Sequence, residues 1–212
     1  MNKEEQQDVE SRILDAAKQV FIRKGYEAAT MGDIAAEAGM GRTSLHYYFR
    51  TKDMLFDAIF GQLLNALLPN VALVVEEGTD YRSKLKKIIH LYITILRKNP
   101  LFPLFVVNEL NRDPEHLFRT ILKDPKRLEP ILRLQKLILS EMEAGSIRKM
   151  PFIDLVANVI SLLAFPFLMR NPLIKMFPQE GESHIERFFD RREEVVYDMI
   201  IRFIAPDNNE TK

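Results

Sequence analysis

Apolar positions recur at intervals of three and four residues along nearly the whole chain, and no run alternates apolar with polar between Asn-Gly or Asp-Gly turns. That pattern predicts helices and no strands. Ile13, Ala16, Ala17, Val20 and Phe21 line one face of a first helix ending at Gly25, with the opening ten residues frayed. Thr30 N-caps a second, short helix whose small apolar face is Ile34, Ala35 and Ala38, and Gly39 stops it by taking the left-handed C-cap conformation. After a turn at Gly41, a third helix starts at Arg42 and buries Leu45, Tyr48 and Phe49, leaving Arg42, Thr43, Ser44, His46 and Tyr47 on other faces. Lys52 and Asp53 open a fourth, apolar from Phe56 through Ile59, Phe60, Leu63, Leu64, Leu67 and Leu68, with Pro69 as its expected end.

Further along, Gly78, Thr79 and Asp80 introduce a helix with the face Leu85, Ile88, Ile89, Tyr92, Ile93 and Leu96. Asn99 and Pro100 read as the N-cap and first position of a short or bent segment to Asn111. A weaker helix spans about 114–123, and a stronger one carries Ile131, Leu134, Ile138 and Met142 to Gly145. The stretch 152–169 is apolar almost all round, with Asp154, Asn158 and Ser161 as a narrow polar stripe, which predicts burial on several sides. It falls short of the ~20 apolar residues that a bilayer requires and Pro166 interrupts it, so no membrane span is expected. The last helix shows Ile185, Phe188, Phe189, Arg192, Val196, Met199, Ile200 and Phe203 at spacings of three and four. With Leu155, Val159 and Leu162 from the preceding helix, that face is expected to pair with a second copy as a four-helix interface. The fold class is therefore all-α: a three-helix helix-turn-helix DNA-binding domain with its connecting helix over residues 9–69, then a larger helical effector-binding and dimerisation domain over 70–212.

Function is carried by 30–52, a helix-turn-helix by its caps and spacing. A helix entering the major groove needs donors and slim side chains near its N-terminus, and Arg42, Thr43 and Ser44 supply a guanidinium for guanine and hydroxyls for bases or phosphates. Overall charge adds nothing, because 30 Lys and Arg balance 30 Asp and Glu. The first 53 residues hold four Lys and four Arg against five Glu and four Asp, a net of −1. The basic signal is local: Arg42, Arg50 and Lys52 with no acid between Gly39 and Lys52. Arg12, Lys18, Arg23 and Lys24 read as a solvated face. Cys is absent, which excludes disulfides and thiolate chemistry. The polar, acidic first ten residues lack the apolar core of a secretory signal, so the expected compartment is the cytoplasm.

Residues 12–59, RILDAAKQVFIRKGYEAATMGDIAAEAGMGRTSLHYYFRTKDMLFDAI, resemble the DNA-binding domain of the tetracycline-repressor family. The resemblance covers about a quarter of the chain and implies a ligand-responsive repressor that binds a palindromic double-stranded operator as a homodimer. By position it assigns Arg42, Thr43, Ser44, His46 and Tyr47 to the recognition helix, Thr30 and Met31 to the start of the supporting helix, and Tyr47, Tyr48 and Lys52 to the neighbourhood of backbone phosphate. The chain departs from the family pattern at Gly41, where a capping hydroxyl is common, and at His46, where Tyr is common.

Two other function classes have less behind them. His46, His90, His116 and His184 are scattered, no pair stands at metal-ligand spacing, and there is no phosphate-binding Gly loop or nucleophile elbow, so neither catalysis nor a cofactor or metal is expected. A helical protein-interaction adaptor, or a motif-poor helical enzyme, remains as the alternative without DNA binding. Within the second domain, Phe102, Phe105, Phe118, Met142, Phe165 and Met169 are expected to enclose a small apolar effector, with His90, Tyr92, Asn108, Glu109 and Asn158 as polar anchors. Plain core packing is the competing reading for each of them, and the clustering of prolines favours a cavity because bent helices pack less regularly.

Overall fold

The computed structural model describes residues 3–178 and 181–206, and no strand occurs among them. Two compact units result: Met1–Asn65 with Leu104–Asp124, and Ala66–Pro103 with Pro125–Lys212. The sequence pattern places the boundary near Pro69 and gives 104–124 to the second domain; by contacts, that segment groups with the amino-terminal helices.

The amino-terminal unit contains α1 (Lys3–Ala28), α2 (Met31–Glu37), α3 (Arg42–Tyr48), the first half of α4 (Lys52–Glu76), most of α6 (Phe102–Arg112) and α7 (Pro114–Leu122). Helix α1 starts at Lys3, so its first turns are not frayed as expected, and Gly25 breaks it with φ 76°. Ile13, Ala17, Val20 and Phe21 are buried, together with Ile34, Leu45, Leu55, Phe56 and Ile59. From α6 and α7, Phe105 stacks on Phe56 (centroids 4.8 Å apart) and Thr120 donates to Asp57 (2.8 Å). Pro69 does not end α4, which continues to Glu76. The ring sits on the exposed side of the helix, where water can satisfy the carbonyl left without a donor, while Leu68 and Val71 keep the buried face continuous. By length and composition α4 could cross a membrane; here it supplies core residues to both units.

The second unit is built from α5 (Tyr81–Lys98), α8 (Glu129–Glu143), α9 (Phe152–Leu168), α10 (Arg170–Met176), α11 (Gly181–Ile204) and the end of α4. Asp80 caps α5 by accepting from the amides of Arg82 and Ser83. Asn99, expected as an N-cap, is the C-cap of α5: its amide and side chain both donate to the Ile95 carbonyl. The core joins Ile89 and Ile93 of α5, Met142 of α8, Ile147 of the loop that follows, Leu155 and Leu163 of α9, and Val196, Ile200 and Ile204 of α11.

Pro166 is buried within α9 and does not interrupt it; the chain bends by 61° beyond it, between α9 and α10. Proline at 166 removes the amide that would have bonded the carbonyl of Leu162, four residues back. Arg192 of α11 replaces it, donating to that carbonyl through Nη2 (2.8 Å) and Nε (3.3 Å), and burial lowers the pKa of its guanidinium. Arg192→Met should therefore destabilise the chain by about 1–3 kcal/mol, the cost of an unmet buried carbonyl. In a Pro166→Ala background the restored amide takes over the carbonyl, and the same substitution should cost much less. Urea unfolding of the four proteins of this double-mutant cycle measures the difference; equal costs in both backgrounds would show that Arg192 does not serve the proline gap.

Candidate functional site

The helix-turn-helix is held by local chemistry. Thr30 Oγ1 accepts from the Asp33 amide (3.1 Å) while the Asp33 carboxylate accepts from the Thr30 amide (3.0 Å) and hydroxyl (2.8 Å), closing a capping box. Lys24 pairs with Asp33 (2.6 Å) and, with Thr30, holds its carboxyl down to about 2. Arg23 pairs with Glu37 (2.7 Å). Two of the four basic residues read as solvated, Arg23 and Lys24, thus fasten α1 to α2, and a third, Lys18, is buried. The α2 C-terminus closes through amide bonds from Gly39 to the Ala36 carbonyl and from Met40 to the Ala35 carbonyl, with Gly39 at φ 65°, which admits little other than glycine.

Gly41 is the N-cap of α3 and gives no side-chain cap, as expected from a residue without a hydroxyl. The first amides of α3 are therefore not occupied by a capping side chain. Leu45 and Phe49 are buried, Tyr48 and His46 are half-buried, and Arg42, Thr43, Ser44 and Tyr47 are exposed. Tyr47 is 77% exposed and packs edge-on against the Tyr48 ring (centroids 5.3 Å apart). Arg42 Nε donates to His46 Nε2 one turn on (3.4 Å), so the departure at His46 places an acceptor against the Arg42 guanidinium. Lys52, expected beside phosphate, also joins two helices of its own chain. Its ammonium donates to the carbonyls of Tyr26 (2.8 Å) and Glu27 (3.1 Å) and lies over the Tyr26 ring, tying α4 to the end of α1. Met31 is buried and acts as a support for α2.

A second group of polar residues, some expected in an effector pocket and others not singled out by the sequence pattern, lies in the same unit. Glu109 is 2% exposed and takes Arg112 through two bonds, one of them 2.8 Å, and the imidazole of His116 through Nδ1 (2.6 Å). Arg112 also reaches Glu27 (3.0 Å) and lies 4.0 Å over the Tyr26 ring. Tyr26 in turn donates to Asp53, and burial followed by that carboxylate raises the pKa of its phenol. Glu109 and Arg112 are three apart on α6, but His116 lies on α7 beyond the break at Asp113, so helical spacing gives no signal that the three meet.

The second unit contains a half-open cavity of about 390 Å³ among α4, α5, α8, α9 and α11. Its wall includes Val71, Ile88, Tyr92, Leu134, Val159 and Ile200. Of the residues expected to enclose an effector, Tyr92 alone lines it. His90 is exposed and paired with Glu193 (2.8 Å), Phe118 and Phe165 are each 58% exposed, Asn158 bonds the Asp154 carbonyl, and Met142 is core. Phe105, Asn108 and Glu109 belong to the amino-terminal unit, Phe102 is buried at the start of α6, and Met169 is half-buried at the α9–α10 bend. Among the expected dimer contacts, Leu155, Ile185, Phe189, Val196 and Ile200 are buried within the chain itself; Val159, Leu162 and Phe188 are half-buried, and Met199 is 48% exposed.

Residues 13–59 match the model of the tetR family of bacterial regulatory proteins. Over 85 residues the chain is 32% identical to the HTH-type nicotine-responsive transcriptional repressor HdnoR of Paenarthrobacter nicotinovorans, covering 40% of this chain and 44% of that protein. Over 49 residues it is 39% identical to the HTH-type transcriptional regulator QacR of Staphylococcus aureus, covering 23% and 26%. The match thus spans less than half the length of these curated relatives. Likeness of fold extends further. A crystal structure of an HlyIIR mutant protein superposes with a TM-score of 0.68 at 20% identity over 96% of this chain and 98% of that one. The regulator PfmR from Thermus thermophilus gives 0.63 at 24% identity over 90% and 97%. Residues 13–59 thus match the amino-terminal domain of the tetR family of bacterial regulatory proteins, and the chain shares the fold of solved structures that include a TetR-family regulator.

Proposed function

We propose that the chain is a sequence-specific, DNA-binding transcriptional regulator that binds a palindromic operator as a homodimer and releases it when a small apolar effector enters the second unit. The observation that carries the reading is α3: a short helix anchored from below by Leu45 and Phe49, with Arg42, Thr43 and Ser44 all exposed at its amino-terminal end. Its two copies would sit about one turn of DNA apart, roughly 34–36 Å, on a two-fold axis. Relatives named as repressors, including HdnoR, favour repression, and HdnoR is itself named as nicotine-responsive. A regulator of this kind works where the DNA is, in the cytoplasm, and neither an adaptor nor an enzyme needs the exposed Arg-Thr-Ser end of α3.

Homodimerisation is supported by the apolar surface the chain leaves uncovered. Helix α9 was expected to be buried on several sides, yet Ile153 (69% exposed), Ile160 (49%) and Phe165 (58%) face outward, as do Val195 and Met199 of α11. A second copy covering these faces completes the burial.

Selection from random duplexes tests the reading, with an enriched inverted repeat as the expected result and no enriched motif as the refutation. On the selected site, Arg42→Ala should weaken binding by about 1–3 kcal/mol and relax the preference at one position of each half-site. A uniform loss across all sequences, with a flatter salt dependence, would make Arg42 a phosphate contact instead.

A further inference from the structure

The cavity of the second unit is walled by carbon and presents no polar surface. Only Tyr81, Lys84 and Tyr92 among its lining residues carry a polar side-chain atom, and none of the three turns that atom inward. The Tyr81 hydroxyl donates to the Ser146 carbonyl (3.0 Å). The Lys84 ammonium donates to the Val75 carbonyl (2.8 Å) and is attracted by the Glu77 carboxylate, which leaves its hydrocarbon stem on the cavity side. Tyr92 presents its ring. The wall is helical throughout, so the backbone amides and carbonyls behind these side chains are used within their own helices. Ile131 of α8 and Ile160 of α9, the two lining residues that are exposed, are aliphatic too, and no polar side chain of the wall stands at its open side.

Resting on the effector reading above, we infer that the cavity takes a neutral hydrocarbon, aliphatic or aromatic, that carries no hydrogen-bonding group. Sites for small molecules ordinarily combine an apolar wall with a few placed polar groups that orient the ligand, and this wall has none. Water inside it finds no partner on the wall, so a hydrocarbon displaces it without breaking a bond to the protein. A hydroxyl, an ammonium or a carboxylate carried in would give up its own hydration with nothing to replace it. Selection then rests on size and on the absence of polarity, with the transfer of carbon out of water as the driving force.

The test titrates the full-length protein calorimetrically with p-xylene, p-cresol and p-toluate, which differ in a single group on the same ring, each below its solubility limit. p-Xylene should bind about a hundredfold tighter than p-cresol, because a methyl gains burial where an unpaired hydroxyl opposes it, and p-toluate should bind weakest. Val156→Phe and Val159→Phe, which fill the cavity from α9, should each weaken p-xylene binding by about tenfold or more. The inference falls if p-cresol or p-toluate binds within about threefold of p-xylene, if p-xylene does not bind, or if the filled variants bind it unchanged. Operator release by p-cresol as readily as by p-xylene would overturn the hydrocarbon assignment and leave the effector reading standing. Tight binding of p-xylene that leaves operator binding unchanged would keep the assignment and remove the effector reading. Should the α9 variants fail to fold, Leu134→Phe fills the cavity from α8, and the ranking of the three ligands on the wild-type protein still decides.

Discussion

Glu109→Leu is expected to lower the stability of the amino-terminal unit by about 3–5 kcal/mol, the cost of breaking a buried ion pair by deleting one partner. The magnitude follows from what is left behind. The Arg112 side chain is 23% exposed and that of His116 12%, and both lose the carboxylate that accepts from them. Arg112 stays cationic even without Glu109, because a guanidinium does not give up its proton in a protein, so the site cannot discharge itself there. Glu27, with its side chain 77% exposed, is too solvated to replace Glu109. Glu109→Gln keeps the shape and one acceptor and should cost distinctly less. Denaturant unfolding followed by circular dichroism gives both values, and a Glu109→Leu penalty below about 1 kcal/mol would show that the network does not hold the unit together. Since Arg112 and His116 meet Tyr26, Glu27 and Phe56, on α1 and α4, the same variant should weaken binding to the proposed operator without touching a residue of α3.

The helix-turn-helix was legible in the sequence and the cavity was not, for reasons that lie in the range of the interactions. Thr30, Gly39 and the spacing of Leu45 and Phe49 act within four or five residues of themselves, so caps and periodicity reach the right structure from sequence alone. A cavity among five helices depends on side chains as far apart as Leu67 and Ile204. Its wall is aliphatic, whereas the expectation followed Phe and Met, of which Phe118 and Phe165 turn out exposed and Met142 packed solid. Pro69 and Pro166 misled in the same way. Proline ends a helix only where the orphaned carbonyl cannot be satisfied, and here solvent serves one and Arg192 the other. The bonds of the Lys52 ammonium to carbonyls of α1 were not legible either, because its partners lie about 25 residues away in sequence.

Met199→Arg should abolish binding to the two-half-site operator, by more than about a hundredfold, while leaving the stability of the single chain within about 0.5 kcal/mol. Periodicity by itself could not separate the two faces of α11. Val196 and Ile200 are buried at 0% and 1% exposure in the core of their own chain, and one turn from Val196 Met199 is 48% exposed, beside Val195 at 42%. An arginine at 199 therefore meets water in an isolated chain. If the proposed interface covers it, the guanidinium and its two-fold copy are both driven into apolar surface without carboxylates, which costs several kcal/mol. Val196→Ala is the counterpart: it should destabilise each chain by the cavity it opens and leave the tendency to pair unchanged in the fraction that stays folded. Sedimentation at micromolar concentration separates the two effects, since Met199→Arg should run as a folded monomer that still occupies half-sites weakly. A Met199→Arg protein that remains a dimer with full operator affinity would move the interface off this face of α11.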